Sequence, residues 1–113
     1  MDVSFNGIGE KLVTFASKQA KKGQVVKVCG EGAVAPCDDG DAFDGVAMLA
    51  DDGFAGVLLR GFADVAYSDE APTVGHNKLV ADDKGGVKVD QSKGKDYLTV
   101  AVDTANHVAT ILM

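Results

Sequence analysis

The stretch Asp44 to Tyr67, DGVAMLADDGFAGVLLRGFADVAY, holds two apolar runs on either side of Asp51-Asp52-Gly53. Val46, Met48 and Ala50 alternate along the first run, and Val57, Leu59, Ala63 and Val65 along the second. A period of two is that of a half-buried β-hairpin with one face on a core. Gly56 and Gly61 interrupt the second run, and glycine inside a strand marks a bulge or a close backbone approach. The second strand is therefore expected to bend at these positions and to cross between two sheets. The rest of the chain is expected to pack onto this hairpin as further hairpins.

The flanking sequence supports that reading. Lys11–Ala16 is rich in β-branched and aromatic residues and predicts a first strand. Ser17–Gly23 reads as a single helical turn or a polar loop. Gln24–Cys29 predicts a second strand with Val26 and Val28 inward and Lys27 outward. Gly30-Glu31-Gly32 then turns the chain into Ala33-Val34-Ala35, and Pro36 confines that piece to an edge or an end. Ser68–Asn77 is a polar connection. Lys78–Ala81 and Val87–Asp90 flank Asp82-Asp83-Lys84-Gly85-Gly86 as a hairpin, and Gln91–Asp96 is a charged turn. Tyr97–Val102 and His107–Leu112 form the last pair across Asp103–Asn106. Short strands closed by turn signals, with no helices between them, predict an all-β fold, an antiparallel sandwich or barrel, over residues 11–113.

Residues 1–10 carry no sustained period and read as an extended N-terminal arm whose apolar points are Val3, Phe5 and Ile8. These side chains either tuck over the end of the core or grip a partner subunit. The opening residues show neither a basic start nor a continuous apolar stretch, so no signal peptide is expected. No run approaches the ~20 apolar residues that span a bilayer, so no membrane partner is expected.

At 113 residues the chain is expected to form one domain. Its net charge of −6 argues against a nucleic-acid partner, because phosphate binding needs clustered Lys and Arg. The densest basic stretch, Lys18–Lys27, reads as ordinary protection of a turn and a strand edge. Fourteen glycines against two prolines favour tight hairpin turns, which need positive φ.

Candidate chemistry is sparse. Asp38-Asp39, Asp51-Asp52 and Asp82-Asp83 recur as a faint internal echo, and repeated turn chemistry accounts for it. Asp39, Asp41 and Asp44 come nearest to a weak ion site, but the spacing is not that of a calcium loop, so no metal is assigned. Cys29 and Cys37 could face each other on adjacent strands and are expected as reduced thiols, since no further Cys or His completes a zinc set. His76 and His107 lie in no nucleophile signature. Lys84 at a hairpin tip resembles the modified lysine of lipoyl or biotinyl carrier domains in its turn alone, and reads as a solvated lysine. No cofactor is expected, nor a catalytic residue. With no Trp and only Tyr67 and Tyr97 besides the phenylalanines, an aromatic platform for sugars is poorly supplied.

The order of motifs, Ala20–Val28 (AKKGQVVKV), Gly40–Ala47 (GDAFDGVA), Gly53–Val57 and Arg60-Gly61-Phe62-Ala63, followed by Gly75–Leu79, the Asp83-Lys84-Gly85-Gly86 turn and a closing strand ending at Met113, resembles small bacteriophage capsid decoration and head-fibre virion proteins. The resemblance runs from Lys11 onward as a pattern of glycines and valines. The chain departs from common members in its two cysteines and in the length of Ser68–Asn77. The resemblance implies a β-sandwich, barrel or tulip-like fold that binds the major capsid protein on the outside of a shell. It implies a homo-oligomer, with a trimer favoured, made in the bacterial host cytoplasm and found in the virion, without catalysis. The exposed apolar face of the organising hairpin is the expected contact of such a trimer. The alternative is a β-sandwich module that binds cell-surface glycans as part of a tail, a fibre or a secreted protein.

Overall fold

The computed structural model describes residues 11–113. Among them are ten strands: β1 (Lys11–Ala16), β2 (Val25–Gly30), β3 (Ala33–Pro36), β4 (Gly45–Asp51), β5 (Phe54–Arg60), β6 (Phe62–Ala66), β7 (Gly75–Ala81), β8 (Val87–Val89), β9 (Lys95–Asp103) and β10 (Val108–Leu112). The first five close into a barrel in the order β1-β3-β2-β4-β5, and the last five form a sheet in the order β6-β10-β9-β7-β8. The fold is all-β, as the sequence predicts. Adjacent pairing is antiparallel except where β1 meets β3 in parallel at Ala16↔Ala33, which closes the barrel. No helix among the described residues is long and apolar enough to cross a membrane.

The crossing between sheets occurs at Gly61. β5 ends on Arg60 in the barrel and β6 begins on Phe62 beside β10, so one residue joins the two sheets. Its φ of 124° lies where side chains are rarely tolerated, and its carbonyl accepts the Met113 N–H at 2.8 Å.

The bend expected at Gly56 is different in kind. The register shift lies in β4, between Ala47↔Val57 and Leu49↔Gly56, so Met48 is the extra residue and Gly56 is merely opposite it. The shift breaks the predicted Val46-Met48-Ala50 face. Val46 faces the second sheet, Ala47 faces the barrel interior, and Leu49 and Ala50 emerge into solvent.

β5 is not half-buried either. Val57, with Val26, Val34, Ala47 and Ala55, fills the barrel, while Leu58 joins Val25, Phe43, Val46, Leu79 and Ile111 between barrel and sheet. A strand buried on both faces reads as a continuous apolar run, and Val57-Leu58-Leu59 is one. Gly45 is required by this packing: a Cβ there would collide with Val57 Cγ1 and stand 2.8 Å from the Leu58 carbonyl.

Two other expectations need correction, and one pair of alternatives is decided. Val28 is not buried. It shares the face of Val26 and Val34, but β2 pairs with β4 only at Val25 and Val26, so no strand covers Val28 and it is exposed. The polar connection ends earlier than predicted, because Gly75, His76 and Asn77 already pair with β9. Asn77 is tolerated in a buried position because its amide donates to the carbonyls of Thr73 and Gly75 and to Thr99 Oγ1, and its oxygen accepts from Thr73. Ser17–Gly23 is a loop without a helix, in which Ser17 Oγ accepts the Ala20 N–H.

Candidate functional site

The most distinctive surface is the outer face of the barrel, on the side that also carries the second sheet. Across it the register sets Leu12 beside Leu58 and Val46, Thr14 beside Gly56 and Leu49, and Ala16 beside Phe54 and Asp51. Leu58 and Val46 are covered by the second sheet. Beyond its rim the same face continues into solvent, with Leu49 68% exposed, Leu12 54% and Phe54 48%. Gly56 gives this patch a flat centre, since a Cβ there would only touch Leu49 at an ordinary 3.5 Å. Clustered exposed apolar side chains of this kind mark interaction surfaces rather than scattered surface residues. Within the organising hairpin this exposed apolar surface is carried chiefly by Leu49 and Phe54.

A mostly apolar groove of about 400 Å³ opens where β1 and β3 part, between Ala16 and Gly53 on one side and Ala33, Val34 and Ala35 on the other, with Ser17, Lys18, Gln19 and Cys29 completing its lining. The partner-contact residues expected from the sequence, Val3, Phe5 and Ile8, lie outside the described residues.

The carboxylates of the Asp38–Asp44 loop are engaged by the protein itself. Asp41 Oδ2 accepts from Lys27 Nζ at 2.7 Å and from the Asp38 N–H at 2.9 Å. Asp44 Oδ2 caps the Val28 N–H at 2.8 Å, and Asp39 Oδ1 pairs with Lys88 Nζ at 2.8 Å. The Lys27 hydrogen bond holds the Asp41 carboxyl below its usual range, and Asp41 in turn raises Lys27. Asp39, Asp41 and Asp44 thus point at separate partners, and they form no metal-ligating group among the described residues.

Cys29 and Cys37 do not face each other. Val28 pairs with Val34 and Val26 with Pro36, so Cys29 and Cys37 lie at opposite ends of the β2–β3 hairpin. Three or four residues of strand separate them, roughly 10–13 Å, well beyond disulfide reach. Both thiols are free. Cys37 is half-buried beside the inter-sheet core, and burial, helped by the negative Asp41, pushes its thiol up to about 11. Tyr97 stacks on Phe43 at 4.7 Å, and burial raises its hydroxyl to about 12.

A polar pocket of about 310 Å³ lies among Tyr67, Ser68, Asp69, Asp82, Lys84 and His107. Asp82, 2% exposed, is its floor. Asp82 Oδ1 accepts the N–H groups of Lys84 and Gly86, at 2.7 and 2.8 Å, and Oδ2 accepts the Ser68 hydroxyl at 2.5 Å. The His107 ring stands edge-on to Tyr67 at 5.5 Å. Ser68 gives its proton to a carboxylate already saturated by backbone, so the grouping is a turn brace rather than an activated nucleophile. Lys84 is exposed on the turn that Asp82 ties together.

The sequence reading identified the organising hairpin but missed Leu12 and the open side of β1, because exposure of an edge depends on which strand lies next to it. The apolar Leu49-Ala50 pair continuing beyond Met48 is the one local signal for the surface patch. No protein-family model matches the chain, and no curated protein matches it.

Proposed function

We propose that this protein is a phage or prophage virion component that binds the major capsid protein and stabilises or decorates the shell, without catalysis. One observation carries the reading: the apolar face of the barrel runs out from under the second sheet as Leu12, Leu49 and Phe54, while the nearest candidate ion ligands, Asp39, Asp41 and Asp44, are engaged by Lys88, Lys27 and the Val28 N–H. Such a face suits docking onto a large, complementary surface. The motif order from Ala20 to Met113, shared in pattern with decoration and head-fibre proteins, supports the same role. The test is co-sedimentation of the purified protein with shells of its own phage. Saturable binding at a fixed ratio to the major capsid protein is expected, and its absence from purified particles sinks the reading.

The second reading, a module for cell-surface glycans, is favoured by the polar pocket around Ser68, Asp69 and Lys84. A glycan array with no binding at all removes it.

A further inference from the structure

The two halves of the chain are wound alike. In the barrel the first strand meets the third through one parallel bridge, Ala16↔Ala33. The second sheet returns on itself in the same place through Tyr67↔Val87, so β6, β8, β7, β9 and β10 repeat the circuit of β1, β3, β2, β4 and β5. A serine follows each bridge residue, Ser17 after Ala16 and Ser68 after Tyr67. The residue before each last strand, Gly53 or His107, accepts an N–H from this corner, that of Ser17 at 3.1 Å or of Tyr67 at 3.0 Å. The mostly apolar groove and the polar pocket are therefore one corner of the fold, met twice.

The first corner is an internal control for the second. Where it has Gly53 at a φ of 85°, the second has His107 at 55°, a conformation that glycine takes freely and histidine does not. Asp69, also lining the pocket, has a φ of 62°, and these two are the left-handed residues other than glycine among those described. Such residues cluster at binding sites, where the surrounding structure holds them against their preference. The serines diverge as well. Ser17 Oγ accepts the Ala20 N–H of its own loop, whereas Ser68 gives its proton across the corner to Asp82, which leaves its oxygen as an acceptor. Asp69 and Lys84 are exposed, and neither side chain makes a hydrogen bond or salt bridge among the described residues; Asp69 acts on Lys88 only through space.

We infer that this pocket binds the ring of one neutral, terminal sugar, with Asp69 and Ser68 accepting from its hydroxyls, Lys84 donating to one, and the His107 ring against its C–H face. The inference rests on the second reading above and names the ligand class and the residues that hold it. Charge selects a neutral ligand: an anion would meet Asp69 and Asp82, and a cation would meet Lys84. Acceptors and an ammonium donor side by side suit a diol, which both donates and accepts. Tyr67 stands edge-on to His107 and orients its ring, and about 310 Å³ is at the small end of ligand pockets, room for one ring.

Amide NMR shifts on the full chain, titrated with the methyl glycosides of glucose, galactose, mannose and the N-acetylhexosamines, test it. Saturable shifts at Ser68, Asp69, Lys84, Gly86 and His107 are expected with at least one glycoside, and none at Ala33–Ala35 in the matching groove. Lys84→Ala should weaken that binding at least tenfold. His107→Gly and Asp69→Gly keep the left-handed backbone without its strain, so each should melt close to the parent and yet bind at least fivefold more weakly. Unchanged binding in all three variants, or shifts only with a sialoside or with free lysine, overturns the inference. Glycan-array binding without shifts at this pocket overturns it and spares the second reading, whereas no binding on the array and no shifts with any glycoside overturn both.

Discussion

Ser68 and Asp82, fourteen residues apart in the chain, meet at 2.5 Å in a hydrogen bond that ties the end of β6 to the β7–β8 turn. Asp82 simultaneously takes the Lys84 and Gly86 N–H groups, so one buried carboxylate holds the turn closed from inside. Asp82→Ala leaves these donors without a partner and should cost about 2–3 kcal/mol in urea unfolding, since orphaned buried groups carry their full desolvation penalty. Asp82→Asn keeps an acceptor oxygen for the turn and should cost less, with Ser68→Ala near 1 kcal/mol. Equal losses for the alanine and asparagine variants would show that the carboxylate does not brace the turn.

Gly45 and Gly56, both in the β4–β5 region, should respond very differently to the same change. Gly45→Ala forces a Cβ into Val57 and the Leu58 carbonyl, and an overpacked site of this kind should lose roughly 2–3 kcal/mol. Gly56→Ala meets only ordinary contact with Leu49 and has no positive φ, so its stability should change by less than about 1 kcal/mol. Thermal melts of the two variants side by side decide the matter.

The Lys27–Asp41 pair should be visible on the acid side of the stability profile. Asp41 has a lowered carboxyl in the folded protein, chiefly through the Lys27 hydrogen bond, so its contribution is present above the unfolded value of about 4 and is lost as pH falls through the folded value. Asp41→Asn should flatten the acid limb of urea midpoints below about pH 4 and leave the profile near pH 7 parallel to the parent.

Cys37 acts at the other end. Its folded thiol is raised from 9.0 to about 11, so the stability it contributes is complete below pH 9 and is lost as pH rises toward 11. Cys37→Ala should remove that part of the alkaline loss. At pH 8 a thiol-specific reagent should label the exposed Cys29 first, and Cys37 roughly a hundredfold more slowly than an ordinary thiol, because its thiolate fraction is lower by the two-unit shift. Equal labelling rates in the native protein would contradict the burial of Cys37.

Much of this architecture is legible in particular residues. Asp51-Asp52-Gly53 marks a turn because Gly53 supplies a φ of 85°, and Gly61 marks the crossing for the same physical reason. What the sequence hides are relations between strands. The Met48 bulge reverses the face of Leu49, and no residue around Met48 announces it, since a bulge is set by the partner strand's register. Asn77 looks like loop chemistry until Thr99, twenty-two residues on, is seen to share its amide. The exposed patch escapes period-two reasoning because Leu49, Gly56 and Leu12 come from three strands. Val3, Phe5 and Ile8, the contacts expected for the arm, lie outside the described residues.

The one-residue joint at Gly61 also divides the chain in time. Every strand of the barrel precedes it and every strand of the second sheet follows it, so a ribosome releases the whole barrel sequence first. Until the second half emerges, Val25, Val46 and Leu58 have nothing to cover them, and the Gly40–Ala81 and Val25–Gly85 backbone hydrogen bonds between the halves cannot form. The nascent barrel is thus a half-core that waits, and its release from the ribosome sets when the protein is most exposed to wrong partners.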